Sequence, residues 1–155
     1  MTIAPIVQSV TVGVPPARAF ELFTRRIGDW WERGKSIAAN PQAEVVMEPG
    51  VGGRLFERDA DGAETLWGDV LVWDPPRRLV FAWRITAEFK YDPDFETEVE
   101  LRFDAADDGS TLVSLEHRNL ERYGPSAERM SQRLAGGWPS LLRHYAELTQ
   151  KESAR

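Results

Sequence analysis

The sequence predicts an α+β fold in which a curved antiparallel sheet of six to seven strands lies against one long C-terminal helix. Three observations predict it. Segments of strand character follow one another through tight turns, one short helical segment comes early, and a sustained helical stripe ends the chain. Because strands and helices do not alternate, a βαβ architecture is not expected. Only the final helix can cover the apolar face of such a sheet, so we expect the functional site between the two.

The first elements are a strand and a short helix. The segment from Ile6 to Val14 is rich in Val and predicts a strand. Pro15-Pro16 ends it, and Pro16 suits the first position of a helix, where its missing N–H is not needed. The helix has a 3- and 4-spaced apolar face, and Gly28-Asp29-Trp30-Trp31 predicts a further short helical turn. That apolar face consists of Ala19, Phe20, Phe23 and Ile27.

The remaining strands are separated by turn residues. Asp-Gly pairs ending at Gly62 and Gly109 indicate hairpins, because glycine adopts the positive φ that such turns require. One strand alternates cleanly between apolar and charged residues, which is typical of a sheet with one face in water. The predicted strands are Glu44 to Glu48, Val51 to Arg58, Glu64 to Trp73, Leu79 to Thr86, Glu96 to Phe103 and Thr111 to Arg118.

Two parities compete for the inward face of the strand from Glu64 to Trp73, and the sequence leaves both open. The first consists of Trp67, Asp69, Leu71 and Trp73, and the second of Leu66, Gly68, Val70 and Val72.

The last helix is predicted from an apolar stripe with spacings of three and four residues. Ser126 is in place to cap its N-terminus. Gly136-Gly137-Trp138-Pro139 interrupts the pattern, and we expect a kink there because Pro139 removes a backbone hydrogen bond. The two glycines also leave free volume beside Trp138. The stripe is formed by Met130, Leu134, Trp138, Leu141, Tyr145 and Leu148.

Length and charge exclude several classes of function. A chain of 155 residues is expected to form one domain, residues 1–155. A net charge of −6 argues against a nucleic-acid partner. The absence of cysteine excludes disulfides, thiolate catalysis and Cys-based zinc sites, and it fits a cytoplasmic protein. There is no signal-peptide pattern, and no apolar segment is long enough to span a membrane.

Several ordered segments carry a resemblance to a known family. They are Pro15-Pro16, Trp30-Trp31, Val51-Gly-Gly-Arg54, the segment from Gly68 to Trp83, and Gly137-Trp138. Together they resemble the SRPBCC (START-like) superfamily, and more narrowly its branch related to the C-terminal domain of the activator of Hsp90 ATPase, over residues 6 to 150. The resemblance implies a helix-grip fold, in which the sheet wraps the C-terminal helix around a deep pocket.

The resemblance also implies classes of function. Members of the superfamily bind lipids, hormones or polyketides, and some are cyclases or hydroxylase subunits. The eukaryotic co-chaperone has a further N-terminal domain that this chain lacks, so a role with an Hsp90-type chaperone is not expected. A homodimer is compatible with the branch, but no residue pattern decides the oligomeric state.

A candidate pocket follows from the inward residues of the sheet and the stripe of the last helix. The chain has six Trp, seven Phe and three Tyr. These aromatic side chains can line a cavity or simply fill the core, and both interpretations stay open. The expected lining is Trp31, Phe81, Trp83, Leu101, Phe103, His117, Trp138, Leu141 and Tyr145.

His117 is the main candidate for proton transfer, because it lies on the apolar parity of its strand and histidine titrates near neutral pH. The alternative is a core histidine held by hydrogen bonds. His144 is predicted to lie on the surface of the last helix. Two histidines on different elements, with no carboxylate at ligand spacing, do not indicate a metal, and we expect neither metal nor cofactor.

Charged residues are interpreted as surface features. Glu96, Glu98 and Glu100 predict a solvated outer face of the sheet that discourages edge pairing, with a binding strip for a basic partner as the alternative. The arginines are interpreted as solubilising: Arg25-Arg26, Arg77-Arg78 and Arg122.

Three functions are compatible with these observations. The favoured one is binding of a small apolar or aromatic molecule without a catalytic step. The second is an enzyme resembling a polyketide cyclase or dehydratase, with His117 and Tyr145 as acid–base groups aided by an inward carboxylate, Glu57 or Asp69. The third is an Hsp90 co-chaperone-like interaction module.

Overall fold

A computed structural model describes residues 3–32 and 35–153 of the protein. It confirms the α+β helix-grip fold: a seven-stranded antiparallel sheet curls around the C-terminal helix. The helices are α1 (Pro16–Thr24), α2 (Ile27–Trp30) and α3 (Ala127–Ser153), and a 3₁₀ segment, Leu120–Ser126, precedes α3. The strands are β1 (Ile6–Val12), β2 (Gln42–Met47), β3 (Arg54–Asp59), β4 (Glu64–Asp74), β5 (Arg78–Trp83), β6 (Thr97–Ala105) and β7 (Thr111–Arg118).

The sheet has a simple order with one long-range pairing. Its strands lie in the order β1-β7-β6-β5-β4-β3-β2, so β2 to β7 follow one another as a meander and β1 joins β7 at the edge. Register shifts occur between Gln42 and Glu44, between Leu55 and Phe56, and between Val70 and Val72. Because bulges bend a strand and increase its twist, they favour the curl that closes the sheet around α3.

Strand β4 follows neither of the two predicted parities. Trp67 and Val70 are buried in the core, and Trp73 packs edge-on against Phe20 with ring centroids 5.0 Å apart. These inward residues are three apart rather than two, because the bulges on either side of β4 each insert a residue and exchange the faces. Each parity was therefore correct over only part of the strand.

Glycine conformations explain the late start of β3. The prediction began this strand at Val51, but residues 51–53 form a turn in which Gly52 has φ +86°. A Cβ at Gly53 would lie 2.1 Å from the Glu48 carbonyl oxygen, so only glycine fits this close approach. At the end of β5 the prediction extended to Thr86, but the strand ends at Trp83, and Ile85 makes only an isolated bridge to Tyr91.

Helix α1 fills one end of the curled sheet with aromatic rings. Phe20 and Phe23 contact Phe103 at centroid distances of 5.2 and 6.1 Å, and Phe23 also contacts Tyr145 of α3 at 5.2 Å. The Tyr145 hydroxyl donates a hydrogen bond to the Ala19 carbonyl at 2.7 Å. The sheet, α1 and α3 are therefore tightly joined at this end, which leaves the opposite end as the place for a cavity.

Helix α3 continues through the segment where a kink was expected. Residues 127–153 form one helix, and Pro139 lies inside it. Among the described residues, no helix has the length and apolar character needed to cross a membrane.

The outer face of the sheet differs from the predicted solvated ladder. Glu100 is only 5% exposed and accepts hydrogen bonds from Arg78 at 2.8 Å, Arg102 at 2.8 Å and Arg118 at 2.6 Å. Burial disfavours ionisation of this carboxyl group, but the bonds from Arg78 and Arg118 outweigh burial and lower its pKa to about 2. The interpretation of Arg78 as merely solubilising was wrong, because it pairs strand β5 with β6.

Candidate functional site

A cavity of about 290 Å³ lies between the concave face of the sheet, the segment after α2, the β5–β6 loop and helix α3. Its lining is mainly apolar and aromatic, with a few polar groups. The lining residues are Trp31, Lys35, Ser36, Ile37, Trp67, Trp83, Ile85, Phe89, Met130, Arg133, Leu134, Gly137, Trp138 and Leu141.

Four tryptophans form a continuous aromatic wall. Trp31 lies against Trp67 at a centroid distance of 4.9 Å and edge-on to Trp138 at 6.1 Å, and Trp83 lies 5.8 Å from Trp138. Three of the four indole N–H groups are bound elsewhere: that of Trp31 donates to the Lys35 carbonyl at 3.0 Å, that of Trp67 to a carboxylate, and that of Trp138 to an imidazole. Because the polar edges are bound, these rings can offer apolar surface to a ligand.

Four of the nine predicted lining residues meet at this cavity: Trp31, Trp83, Trp138 and Leu141. The other five are buried but do not line it: Phe81, Leu101, Phe103, His117 and Tyr145. Phe103 and Tyr145 pack against α1 at the filled end of the sheet. The cavity does not extend to Phe103 and Tyr145, because α1 occupies that part of the concave face.

His117 lies behind the aromatic wall in a chain of hydrogen bonds. Trp138 Nε1–H donates to His117 Nδ1 at 3.1 Å, so the imidazole proton is on Nε2 and donates to Thr97 Oγ1 at 2.8 Å. Thr97 in turn donates to the Trp83 carbonyl at 3.2 Å. The chain therefore ties two wall tryptophans to β6 and β7 and fixes the imidazole as a neutral tautomer.

Neither acid–base group predicted from the sequence reaches the cavity. His117 is fully buried, and this burial lowers its pKa to about 3. Burial also raises the pKa of Tyr145 well above its ordinary value, and the Tyr145 hydroxyl is engaged with Ala19. Both groups are neutral over the physiological range, and both act in packing and orientation.

Glu57 is a fully buried carboxylate beside the cavity. It accepts hydrogen bonds from the Ser36 hydroxyl, from the Ile37 backbone N–H at 2.9 Å and from Trp67 Nε1–H at 2.8 Å. All three donors belong to residues that line the cavity. Burying a charge is costly unless hydrogen bonds compensate it, and these three bonds hold the segment of Ser36 and Ile37 against the wall.

The other inward carboxylate predicted from the sequence, Asp69, lies elsewhere. It pairs with Arg84 at 2.7 Å and does not line the cavity. Of the two carboxylates, Glu57 alone is joined to the site.

Two cations and an aromatic ring lie at the edge of the cavity. The Lys35 ammonium is 3.5 Å from Glu32, and the Arg133 guanidinium lies over the Phe89 ring at 4.8 Å. Phe89 has a positive φ of 61° in the β5–β6 loop. Sequence reasoning missed these residues because they lie on irregular segments or outside the apolar stripe of α3, where periodicity gives no signal.

His144 is a helix-surface residue, as the sequence indicated. Its side chain is 40% exposed, and Nε2 lies 3.3 Å from Glu32, which also binds the Ser140 hydroxyl. Together with Lys35, this cluster fastens the segment after α2 to helix α3.

Comparison with known proteins gives a family match and several similar structures. The family described as "Activator of Hsp90 ATPase homolog 1-like protein" matches residues 13–150. The anthrahydroquino-γ-pyrone synthase Txn09, determined as a complex, is 37% identical with a TM-score of 0.66, and the match covers 94% of this chain and 97% of that one. No curated protein matches the sequence.

Two further structures show how widely the fold is shared. The self-sacrificing resistance protein CalC from Micromonospora echinospora is 27% identical with a TM-score of 0.70, and the match covers 96% of both chains. A protein from Silicibacter pomeroyi is 20% identical with a TM-score of 0.66, over 96% of this chain and 99% of that one. At this lower identity the likeness shows the fold alone.

The buried state of His117 predicts a pH dependence of stability. In the unfolded chain the His117 imidazole takes up a proton near pH 6.5, whereas in the folded protein the pKa of His117 is about 3. The neutral, buried His117 therefore makes its full contribution to the free energy of unfolding above pH 6.5, and this contribution is lost as the pH falls towards 3. Between pH 7.5 and about pH 5, we expect the native protein to lose about 2 kcal/mol more unfolding free energy than the His117→Gln variant, measured by urea unfolding.

Equal pH slopes for the two proteins would contradict this account of His117. If the variant does not fold, ¹⁵N NMR of the native imidazole tests the same point. The neutral Nε2–H tautomer should persist to about pH 5, where an ordinary histidine is mostly protonated.

Proposed function

The chain belongs to the Activator of Hsp90 ATPase homolog 1-like family, and on this basis we propose that it binds a small planar aromatic molecule in the cavity between sheet and helix. The observation that carries the proposal is the wall of four tryptophans, three of which have their indole N–H groups bound outside the cavity. Concave, mainly apolar sites with a few placed polar groups are the usual small-molecule sites of proteins.

The size and chemistry of the cavity support a ligand of modest size. Ligand pockets usually measure about 300–1,000 Å³, and a volume of about 290 Å³ is close to the lower limit of that range. Aromatic pairs in offset or edge-on geometry gain about 0.5–1.5 kcal/mol beyond the burial of area. A flat ring system in contact with several indoles would use this term more than once, whereas a flexible lipid chain would not.

One of the similar structures supports the same class of ligand. Txn09 is named for an anthrahydroquino-γ-pyrone, which is a fused aromatic ring system. We do not propose a role in activating a chaperone, because the features described above form an interior site rather than a docking surface.

The two adjacent glycines of α3 give a matched test of the binding site. Gly137 lines the cavity, and a Cβ there would lie 3.8 Å from the Lys35 ammonium, whereas Gly136 is exposed and a Cβ there would meet nothing within 4 Å. We expect Gly137→Leu to weaken binding of a dihydroxyanthraquinone by about tenfold or more, because loss of about 1.4 kcal/mol of ring contacts is already tenfold. Quenching of tryptophan fluorescence measures the affinity.

Gly136→Leu is the control for this experiment. Both substitutions replace a helical glycine and raise helix propensity by somewhat under 1 kcal/mol, so neither should lower the melting temperature. Gly136→Leu should bind the probe like the native protein. Unchanged binding by Gly137→Leu would place the ligand outside the cavity and overturn the proposal.

A second candidate function is acid–base catalysis on the bound molecule, favoured by Glu57 and Ser36. The Ser36 hydroxyl lines the cavity, donates to the Glu57 carboxylate and accepts a hydrogen bond from the Ala38 N–H at 3.2 Å. A proton leaving the ligand can pass to Ser36 Oγ while the serine proton passes to Glu57, which leaves the ligand as an enolate or phenolate. A relative that is a synthase supports this candidate.

Deuterium exchange tests the second candidate without knowledge of the natural substrate. We expect the protein to accelerate exchange at the α-carbon of an aryl methyl ketone in D₂O, followed by NMR. Glu57→Gln and Ser36→Ala should each reduce the protein-dependent rate by about 10²-fold, the scale of general acid–base catalysis. Ser126→Ala, outside the cavity, should have no effect, and exchange at the buffer rate with native protein would exclude this chemistry for the probe.

A further inference from the structure

We propose that the ligand of this cavity is an aromatic carboxylic acid, whose rings lie on the tryptophan wall and whose carboxylate binds Arg133 at the edge of the cavity. This inference rests on the proposed binding function and adds to it the chemical class of the ligand and the residue that selects it.

The charge of the lining is the first argument. Among the described residues that line the cavity, the charged ones are Lys35 and Arg133, and both are cations. The chain as a whole has 25 acidic and 19 basic residues. A purely cationic lining in an acidic protein is complementary to an anionic group on the ligand.

The surroundings of the two cations differ and point to Arg133. Lys35 is 3.5 Å from the Glu32 carboxylate, so its charge is already compensated. Within the part of the chain that the structure describes, Arg133 forms no ion pair, and its guanidinium lies over the Phe89 ring instead. Stacking uses the face of a guanidinium and leaves its N–H groups at the edge, where they can bind a carboxylate in a bidentate manner.

The geometry of α3 provides room for that carboxylate. Gly137 follows Arg133 by one helical turn, and residues four apart are neighbours on a helix surface. A side chain at position 137 would lean towards the N-terminus, over the turn of Arg133. Its absence leaves room in the lining that Arg133 and Trp138 share, and the Lys35 ammonium borders that room, 3.8 Å from where a Cβ of residue 137 would lie.

The β5–β6 loop holds the ring on which Arg133 stacks. The left-handed backbone of Phe89 is costly for a residue other than glycine, by about 1–2 kcal/mol. A tight turn imposes it: Phe89 N–H donates to the Thr86 carbonyl at 2.9 Å, and Thr86 N–H donates to the Lys90 carbonyl at 2.8 Å. The guanidinium is thus held in place before a ligand binds, which reduces the entropy cost of fixing it.

A pair of probes of equal shape tests the proposal. Anthraquinone-2-carboxylate and its neutral carboxamide share the same rings, so they differ mainly in charge. We expect the native protein to bind the carboxylate about fivefold or more tightly than the carboxamide. This factor corresponds to a contact whose strength lies between that of an exposed ion pair and that of a bidentate charge-assisted hydrogen bond. Arg133→Gln should abolish this preference and leave carboxamide binding within about twofold of native, because only the charged contact is removed.

Two further variants separate a contact from a general effect of charge. Arg143→Gln removes the same charge from an exposed position of α3 that does not line the cavity, and the preference should remain. Lys35→Met should reduce the preference less than Arg133→Gln does, because Glu32 compensates Lys35.

The outcomes distinguish a failure of the Arg133 contact from a failure of the binding function. Equal affinity of the native protein for the two probes, or an equal loss of preference in the Arg133 and Arg143 variants, would overturn the selection by Arg133 and leave the binding function standing. If the native protein binds neither probe, the proposed function fails, and the inference fails with it.

Discussion

The architecture depends on one constraint: the curled sheet can bury its concave face only against helix α3 and the elements that fill the space between them. Helix α1 fills one end, where Phe20 and Phe23 pack on Phe103 and Tyr145. At the other end four indoles line the wall together with aliphatic side chains, and α3 carries glycine at position 137. The cavity is therefore a consequence of where the aromatic residues lie, rather than of loose packing.

Buried polar groups around the cavity serve to hold apolar surfaces in place. His117 binds the indole N–H of Trp138, and Glu57 binds that of Trp67 together with the segment of Ser36 and Ile37. No buried side-chain polar atom among the described residues lacks a partner. Such fully satisfied networks favour one arrangement of the core, and here that arrangement presents ring faces to a ligand.

Sequence patterns predicted the elements well and the cavity only in part. The alternation of β5 and the stripe of α3 identified their inward faces, so Trp83, Trp138 and Leu141 were found. Alternation did not predict the inward face of strand β4, because bulges shift its inward residues to Trp67, Val70 and Trp73. Residues on irregular segments, such as Ser36 and Phe89, show no periodicity, and only the folded chain brings them to the cavity.

The six tryptophans allow the presence of an open aromatic cavity to be tested within one molecule. In ¹⁵N–¹H NMR spectra recorded during titration with anthraquinone-2-carboxylate, the indole signals of Trp31, Trp67, Trp83 and Trp138 should shift together and saturate. The signal of Trp73, which packs on Phe20 at the filled end, should stay in place. Indole signals that do not move at saturating probe, or a Trp73 signal that shifts as far as those of the wall, would contradict an open aromatic cavity between sheet and helix.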